Sequence, residues 1–204
     1  MEPNIWGPNT WKYLHFLSFN DSASYNTLSK FFYNLQYLLP CPTCRNNYQK
    51  HYNEFPFPKN KKNIPLWLIQ FHNKVNKSLD KAIVNENEML RYWKNKAKQF
   101  EYSKDIGLWI FIQCILHTHP GKRKIKLEIV EAHQFIWNHL DEILSANLKD
   151  TKEILKYFNI HPVNDVVTKY KYHDSIHDFF HKFNLISDIK KEQRICMDYC
   201  KVNR

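Results

Sequence analysis

Apolar residues recur along most of this chain at spacings of three and four, the period of helices that turn one face to a core. In 10–19, Trp11, Leu14, His15 and Ser18 fall on one stripe, and in 28–39 Phe31, Phe32, Leu35, Leu38 and Leu39 do the same. Pro40-Cys41-Pro42 interrupts that second stripe, and Pro42 suits the first turn of a third helix running through Cys44, Arg45 and Tyr48. A Pro- and Lys-rich loop over 55–65 leads into a fourth helix over 66–81. That helix carries Leu68, Phe71, His72, Val75, Asn76 and Leu79 on one face, and a fifth helix covers 86–98. Strand alternation is weak throughout. The pattern predicts an all-α fold whose first part, 1–100, is a helical bundle.

The second part, 105–204, reads as helical too, with segments at 107–117, 126–148, 151–158, 164–183 and 187–201. Trp109-Ile-Phe-Ile-Gln-Cys-Ile echoes Trp11-Lys-Tyr-Leu-His-Phe-Leu, and Phe180-His181-Lys182-Phe183-Asn184 weakly echoes the stretch from Phe71 to Asn76. Such echoes mark an internal duplication or arise by chance between helical halves. On the duplication reading the second half is a degenerate, cofactor-free copy packed on the first. Trp109, Phe111, Ile112, Phe135 and Trp137 would then be its core and Cys114 an inert buried thiol.

Composition narrows the function classes. Hydrophobic residues make up 43% and charged residues 25% of 204, ordinary globular usage. Three glycines in the whole chain argue against Gly-rich phosphate loops. No apolar run is long enough to cross a membrane, and the N-terminus lacks the basic and apolar regions of a signal peptide. The net charge of +10 permits nucleic-acid contact, but Lys, Asn and Ile are abundant together, so a codon-level AT bias accounts for much of it. Nucleic acid is not expected as a partner.

Five cysteines, Cys41, Cys44, Cys114, Cys196 and Cys200, are too few for a disulfide scaffold of this length. The Cys41/Cys44 spacing serves dithiol redox sites and half of many zinc sites alike. Placement at a helix N-terminus, beside Arg45, favours a thiolate and therefore redox use. No second half of a zinc site appears at a usual spacing, although His51, His72 or Cys196/Cys200 could be recruited. On the fourth helix His72, Asn73 and Asn76 share a stripe with Phe71, Val75 and Leu79. With Trp11 and His15 on the first helix, they suggest a pocket for a large polar aromatic ligand, since buried polar groups need partners.

Taken in order, Trp6-Gly7-Pro8-x-x-Trp11-x-x-Leu14-His15, Pro40-Cys41-x-x-Cys44-Arg45 and Leu66-Trp67-x(4)-His72-Asn73-x-Val75-Asn76-x-x-Leu79-x-Lys81 resemble the Erv/ALR family of FAD-linked sulfhydryl oxidases, with Trp93 as the late aromatic. The basic, Asn-rich composition looks most like members encoded by large DNA viruses. The resemblance covers residues 6 to 93. It implies a helical bundle holding FAD beside the Cys pair, with Cys44 as the flavin-proximal sulfur and Cys41 as the sulfur that takes electrons from outside. It further implies that Gly7, Thr10, Trp11, His15, Tyr48, His72, Asn73, Val75, Asn76, Leu79, Lys81 and Trp93 contact the cofactor. The implied partners are dithiol proteins, with molecular oxygen as acceptor and hydrogen peroxide as product, and a homo-oligomer is left open. The implied location is the cytoplasm of an infected host cell or the virion. The chain departs from the family pattern in lacking the C-x(16)-C pair after the His-Asn helix.

Cys196 and Cys200, at i and i+4, read either as a shuttle pair or as two free thiols near a fraying end. Two readings from other classes stand beside the oxidase. One is a zinc-stabilised helical interaction module on Cys41, Cys44, Cys196 and Cys200. The other is a nucleic-acid binder using Lys59, Lys61 and Lys62 with Lys122, Arg123 and Lys124, clusters that read first as solvated loops.

Overall fold

A computed structural model describes residues 3–98, 127–139 and 142–143, and among them every regular element is helical. The order is α1 (Pro3–Ser18), α2 (Tyr25–Leu38), α3 (Pro42–Glu54), a short 3₁₀ turn (Lys61–Asn63), α4 (Ile64–Ser78), α5 (Glu86–Lys98) and α6 (Leu127–Asn138). The segments expected at 107–117, 151–158, 164–183 and 187–201 lie outside the described residues. So do Trp109, Phe111, Ile112, Cys114, Cys196 and Cys200.

Local chemistry sets each boundary. Ser24 caps α2, its hydroxyl accepting the Thr27 amide at 3.0 Å. Pro42 occupies the first turn of α3, where its missing N–H costs nothing, and Cys41 is the cap. α1 begins well before the 10–19 stripe and runs through Pro8, which forfeits one backbone bond inside the helix.

The 66–81 helix is shorter than its pattern and stops at Ser78. Leu79 is the cap, Asp80 turns left-handed at φ 51°, and the Lys81 amide reaches back to the Asn76 carbonyl at 2.9 Å while the Asp80 amide reaches Lys77 at 3.4 Å. This is a Schellman stop with aspartate in the place glycine usually takes. Leu79 and Lys81 therefore stand off the helix face, and Leu79 is exposed.

α4 lies at the centre, against α1, α3 and α5, while α2 packs on α3 and α6. The core is Leu14 and Leu17 from α1, Leu28, Phe31, Phe32, Leu35 and Leu38 from α2, and Ile64, Leu68 and Phe71 from α4, all at or near zero exposure. Phe57, inside the expected loop, joins this core by packing edge-on against Trp67 with centroids 4.8 Å apart. Lys61 donates to the Asp21 and Ala23 carbonyls at 2.9 and 2.6 Å, so one lysine of the proposed nucleic-acid cluster instead ties the α1–α2 turn.

Residues 127–139 and 142–143 are bound to the first bundle. Ala132, His133 and Ile136 are buried positions of α6. Phe135, expected in the core, is only half-buried and stacks on His139 at 4.3 Å. Beyond α6, the Glu142 carboxylate accepts from the Thr27 hydroxyl at 2.6 Å and the Ser24 amide at 3.1 Å. These two bonds, the hydroxyl's foremost, hold the carboxyl below its ordinary pKa. Asn20 donates to the Glu142 carbonyl at 2.8 Å, and the buried Tyr13 hydroxyl donates to the Ile143 carbonyl at 3.0 Å. Tyr13→Phe leaves that carbonyl without its partner at unchanged packing, so it is expected to lower the free energy of unfolding by about 1 to 2 kcal/mol. An unchanged urea midpoint would show that residues 142–143 do not seal the α1–α2 corner.

Candidate active site

Cys41 and Cys44 are joined as a disulfide at the N-terminus of α3, with Cα atoms 5.1 Å apart. The Cys44 amide donates to Cys41 Sγ at 3.2 Å. The first turn of α3 holds no acidic side chain, so the positive helix end faces sulfur alone. Arg45 folds back and donates from Nη1 to the Leu39 carbonyl at 2.6 Å, bracing the turn that carries Pro40 and Cys41. Both cysteines are half-buried, between the core and the surface.

One turn on from Cys44 stands Tyr48. Its buried hydroxyl donates to the Phe32 carbonyl at 2.7 Å, and burial raises its pKa well above the usual value. Its ring lies 5.2 Å from Phe71, and Phe71 lies 6.5 Å from Trp11. From there a layered group begins. Trp11 stacks on His72 at 3.8 Å with planes 6° apart, and His15 stacks on Trp93 at 4.7 Å with planes 9° apart. His15 Nε2 and His72 Nδ1 are 3.2 Å apart and share one hydrogen bond between the two layers. Four predicted residues from three helices thus meet in one group, and Phe71 and Tyr48 connect it to the Cys pair.

The imidazoles in this group are neutral. Burial, and secondarily the neighbouring His72, lowers the His15 pKa from 6.5 to about 3, and burial, then Lys81, lowers that of His72 to about 4. A neutral pair can use only one proton in its shared bond. His15 Nδ1 is left buried with no partner, as are Thr10 Oγ1 and His51 Nδ1. Buried polar atoms without partners are costly and call for a ligand that supplies them. Flat aromatic faces beside unpaired donors and acceptors, with a lysine nearby, fit the rings, ribose and phosphates of FAD.

The remaining predicted contacts are placed differently. Gly7 lies in α1, and a Cβ there would meet nothing within 4 Å. Val75 is half-buried. Asn73 is buried, and both ends of its amide are paired with the backbone of Val84, as Nδ2 to the carbonyl at 3.0 Å and Oδ1 from the amide at 3.1 Å. Asn76 Nδ2 donates to the Ala82 carbonyl at 3.2 Å. His51 was not among the expected contacts. Its signal was present in the sequence, since Cys44, Tyr48 and His51 at spacings of four and three share one face of α3. Among the described residues no three His, Cys, Asp or Glu side chains gather as a metal site, and Cys41 and Cys44 are bonded to each other, which disfavours the zinc module.

A family model described as the Erv1 / Alr family matches residues 8–97. The chain is 32% identical over 113 residues to the FAD-linked sulfhydryl oxidase of African swine fever virus, covering 51% of this chain and 95% of the relative. It is 30% identical over 102 residues to the probable FAD-linked sulfhydryl oxidase of Acanthamoeba polyphaga mimivirus, covering 44% of this chain and 69% of the relative. The mitochondrial FAD-linked sulfhydryl oxidase of Schizosaccharomyces pombe is 27% identical over 101 residues. No solved structure matches at comparable significance. The match over 8–97 takes in the Cys pair, the two histidines and both flanking tryptophans, and with nearly the full length of a viral relative covered, the chain belongs to the Erv1/Alr family.

Proposed function

We propose that the chain is an FAD-dependent thiol oxidase that makes disulfides in protein substrates, with Cys41 and Cys44 as its redox pair. The observation that carries this reading is the Cys41–Cys44 disulfide on a helix N-terminus, joined through Tyr48 and Phe71 to a stack of aromatic rings with unpaired polar atoms. The relatives' activity supports it. A substrate thiolate attacks Cys41 Sγ, the Cys41–Cys44 bond breaks, and Cys44 leaves as a thiolate stabilised by the α3 N-terminus. A second substrate thiolate then displaces Cys41. The substrate ends with one disulfide, and the Cys pair holds its two electrons as a dithiol. The chemistry FAD supplies when bound is acceptance of those two electrons, which restores the Cys41–Cys44 bond, and their transfer to dioxygen, which leaves as hydrogen peroxide.

Trp11, His15, His72 and Trp93 hold and orient the rings in this reading. Thr10 and His51 offer their unpaired atoms, and Lys81 lies near His72 from beyond the end of α4; Leu79 is kept as a proposed contact. The second part, expected as a cofactor-free helical domain over 105–204, lies outside the described residues except for 127–139 and 142–143. Among the described residues no helix is long and apolar enough to cross a membrane, and the viral relatives support a place in the infected-cell cytoplasm or the virion.

Purified protein is expected to show the yellow absorbance of oxidised flavin and to consume oxygen when given a dithiol. Cys41→Ala and Cys44→Ala are each expected to abolish oxygen uptake and keep the flavin absorbance, because chemistry and binding reside on different residues. Full turnover by either variant would exclude the assigned redox pair.

The neutral imidazoles also predict an acid dependence. His15 and His72 resist protonation in the folded state, whereas in the unfolded chain each binds a proton near pH 6.5. Their contribution to stability is therefore complete above about pH 6.5 and is lost as pH falls toward about 4 and 3. In flavin-free protein the urea midpoint should drop from about pH 7 to about pH 5, and less steeply in the His15→Phe/His72→Gln variant. Equal slopes in the two proteins would rule out a buried neutral pair.

A further inference from the structure

α4 carries a slanting row of three amide side chains, Gln70, Asn73 and Asn76, each three residues after the last. The structure pairs every one of them with the segment that follows the helix. Asn76 Nδ2 donates to the Ala82 carbonyl at 3.2 Å. Asn73 donates to the Val84 carbonyl at 3.0 Å and accepts the Val84 amide at 3.1 Å, engaging that residue as a neighbouring strand would. Gln70 Nε2 donates to the Glu86 carboxylate at 2.8 Å, a charge-assisted bond. The partners advance by two residues for each three retraced on the helix, so 79–86 runs back antiparallel along α4. The left-handed turn at Asp80 makes that reversal.

Two groups of the candidate site depend on where this strap lies. Lys81, at its bend, is near enough to His72 to contribute to lowering its pKa. α5 starts at the last rung, Glu86, and carries Trp93 onto the ring of His15. Asn73 is buried, and Val84 engages both its Nδ2 and its Oδ1. We infer that Gln70, Asn73 and Asn76 are positioning residues that fix the 79–86 strap, and with it Lys81 and Trp93, at the cofactor cleft, and that Asn73 acts through Val84 and not by touching the cofactor.

This inference rests on the flavin reading, and two separate measurements test it. Hydrogen exchange at the Val84 amide is read on flavin-free full-length protein, and FAD affinity is read by flavin fluorescence. Asn73→Ala is expected to speed Val84 exchange about tenfold and to weaken FAD binding about tenfold, the scale of one lost net hydrogen bond. Gln70→Ala removes only the outermost rung and guards against a folding defect at the buried site. It is expected to speed exchange across 82–86 and to weaken FAD binding several-fold. Weaker FAD binding in Asn73→Ala with Val84 exchange unchanged would make Asn73 a direct contact and overturn the inference. So would faster exchange in Gln70→Ala with FAD affinity unchanged. The exchange measurement needs no flavin, whereas a wild-type protein that takes up no FAD would overturn the flavin reading itself.

Discussion

The bond between His15 Nε2 and His72 Nδ1 fixes the relative placement of α1 and α4, and the site is arranged around it. Two imidazoles at 3.2 Å in a largely apolar seam cannot both be charged, because neither desolvation nor mutual repulsion would be compensated. They are held neutral, and the single shared proton demands one register between the helices. A shift of one residue on either helix would move a histidine off the seam and bury it without a partner. Trp11 and Trp93 cover the outer faces of the pair, so the same register places the two indoles. α5 has no fully buried residue among those described, and it is held to α4 by the Gln70–Glu86 bond and to α1 by Trp93.

Helices defined by capping chemistry were legible in the sequence. Pro42 announced α3, and the fifth helix expected over 86–98 is found with those bounds as α5. Trp11, His15 and His72 were legible because their spacing puts each on an inward face, the Cys pair because of its own spacing at a helix start, and Trp93 only through the family resemblance. The end of α4 was not. The usual stop signal is glycine, this chain has three in all, and Asp80 takes the left-handed position without announcing it. The partners of Asn73 were hidden for a related reason. A polar residue on an apolar stripe predicts that something satisfies it, but not whether that is a ligand or the backbone of a segment eleven residues on. Local pattern gives the demand for a hydrogen bond, and only the folded path shows the supply.

On the proposed reading the Cys41–Cys44 disulfide has to be open to a protein substrate and close to a buried cofactor, and it stands at the boundary of the core. Here that position is held by short-range means. Pro42 fixes the start of α3, Arg45 pins the preceding turn through Leu39, and Tyr48 anchors the next turn to α2 through Phe32. None of these uses an ion pair near the sulfurs, so nothing acidic competes with them for the positive end of α3. The bundle forgoes the additional disulfide usual after the His-Asn helix in this family. In its place the structure offers non-covalent closure from later in the chain, where Tyr13, Asn20, Ser24 and Thr27 are all bonded to residues 142–143.

The polar groups of the interior fall into two sets whose difference separates scaffold from site. Tyr13, Tyr48, Asn73 and Thr27 each have partners inside the protein, and each joins two elements that would otherwise slide. Thr10 Oγ1, His15 Nδ1 and His51 Nδ1 are as deeply placed and have none. A fold selected only for stability would not retain three such atoms, since each costs on the order of 1 to 3 kcal/mol and an apolar residue of similar shape would remove that cost. Their retention makes sense if a ligand returns the hydrogen bonds. The unpaired atoms then mark where binding energy is to be gained, while the paired ones mark what must not move when it is.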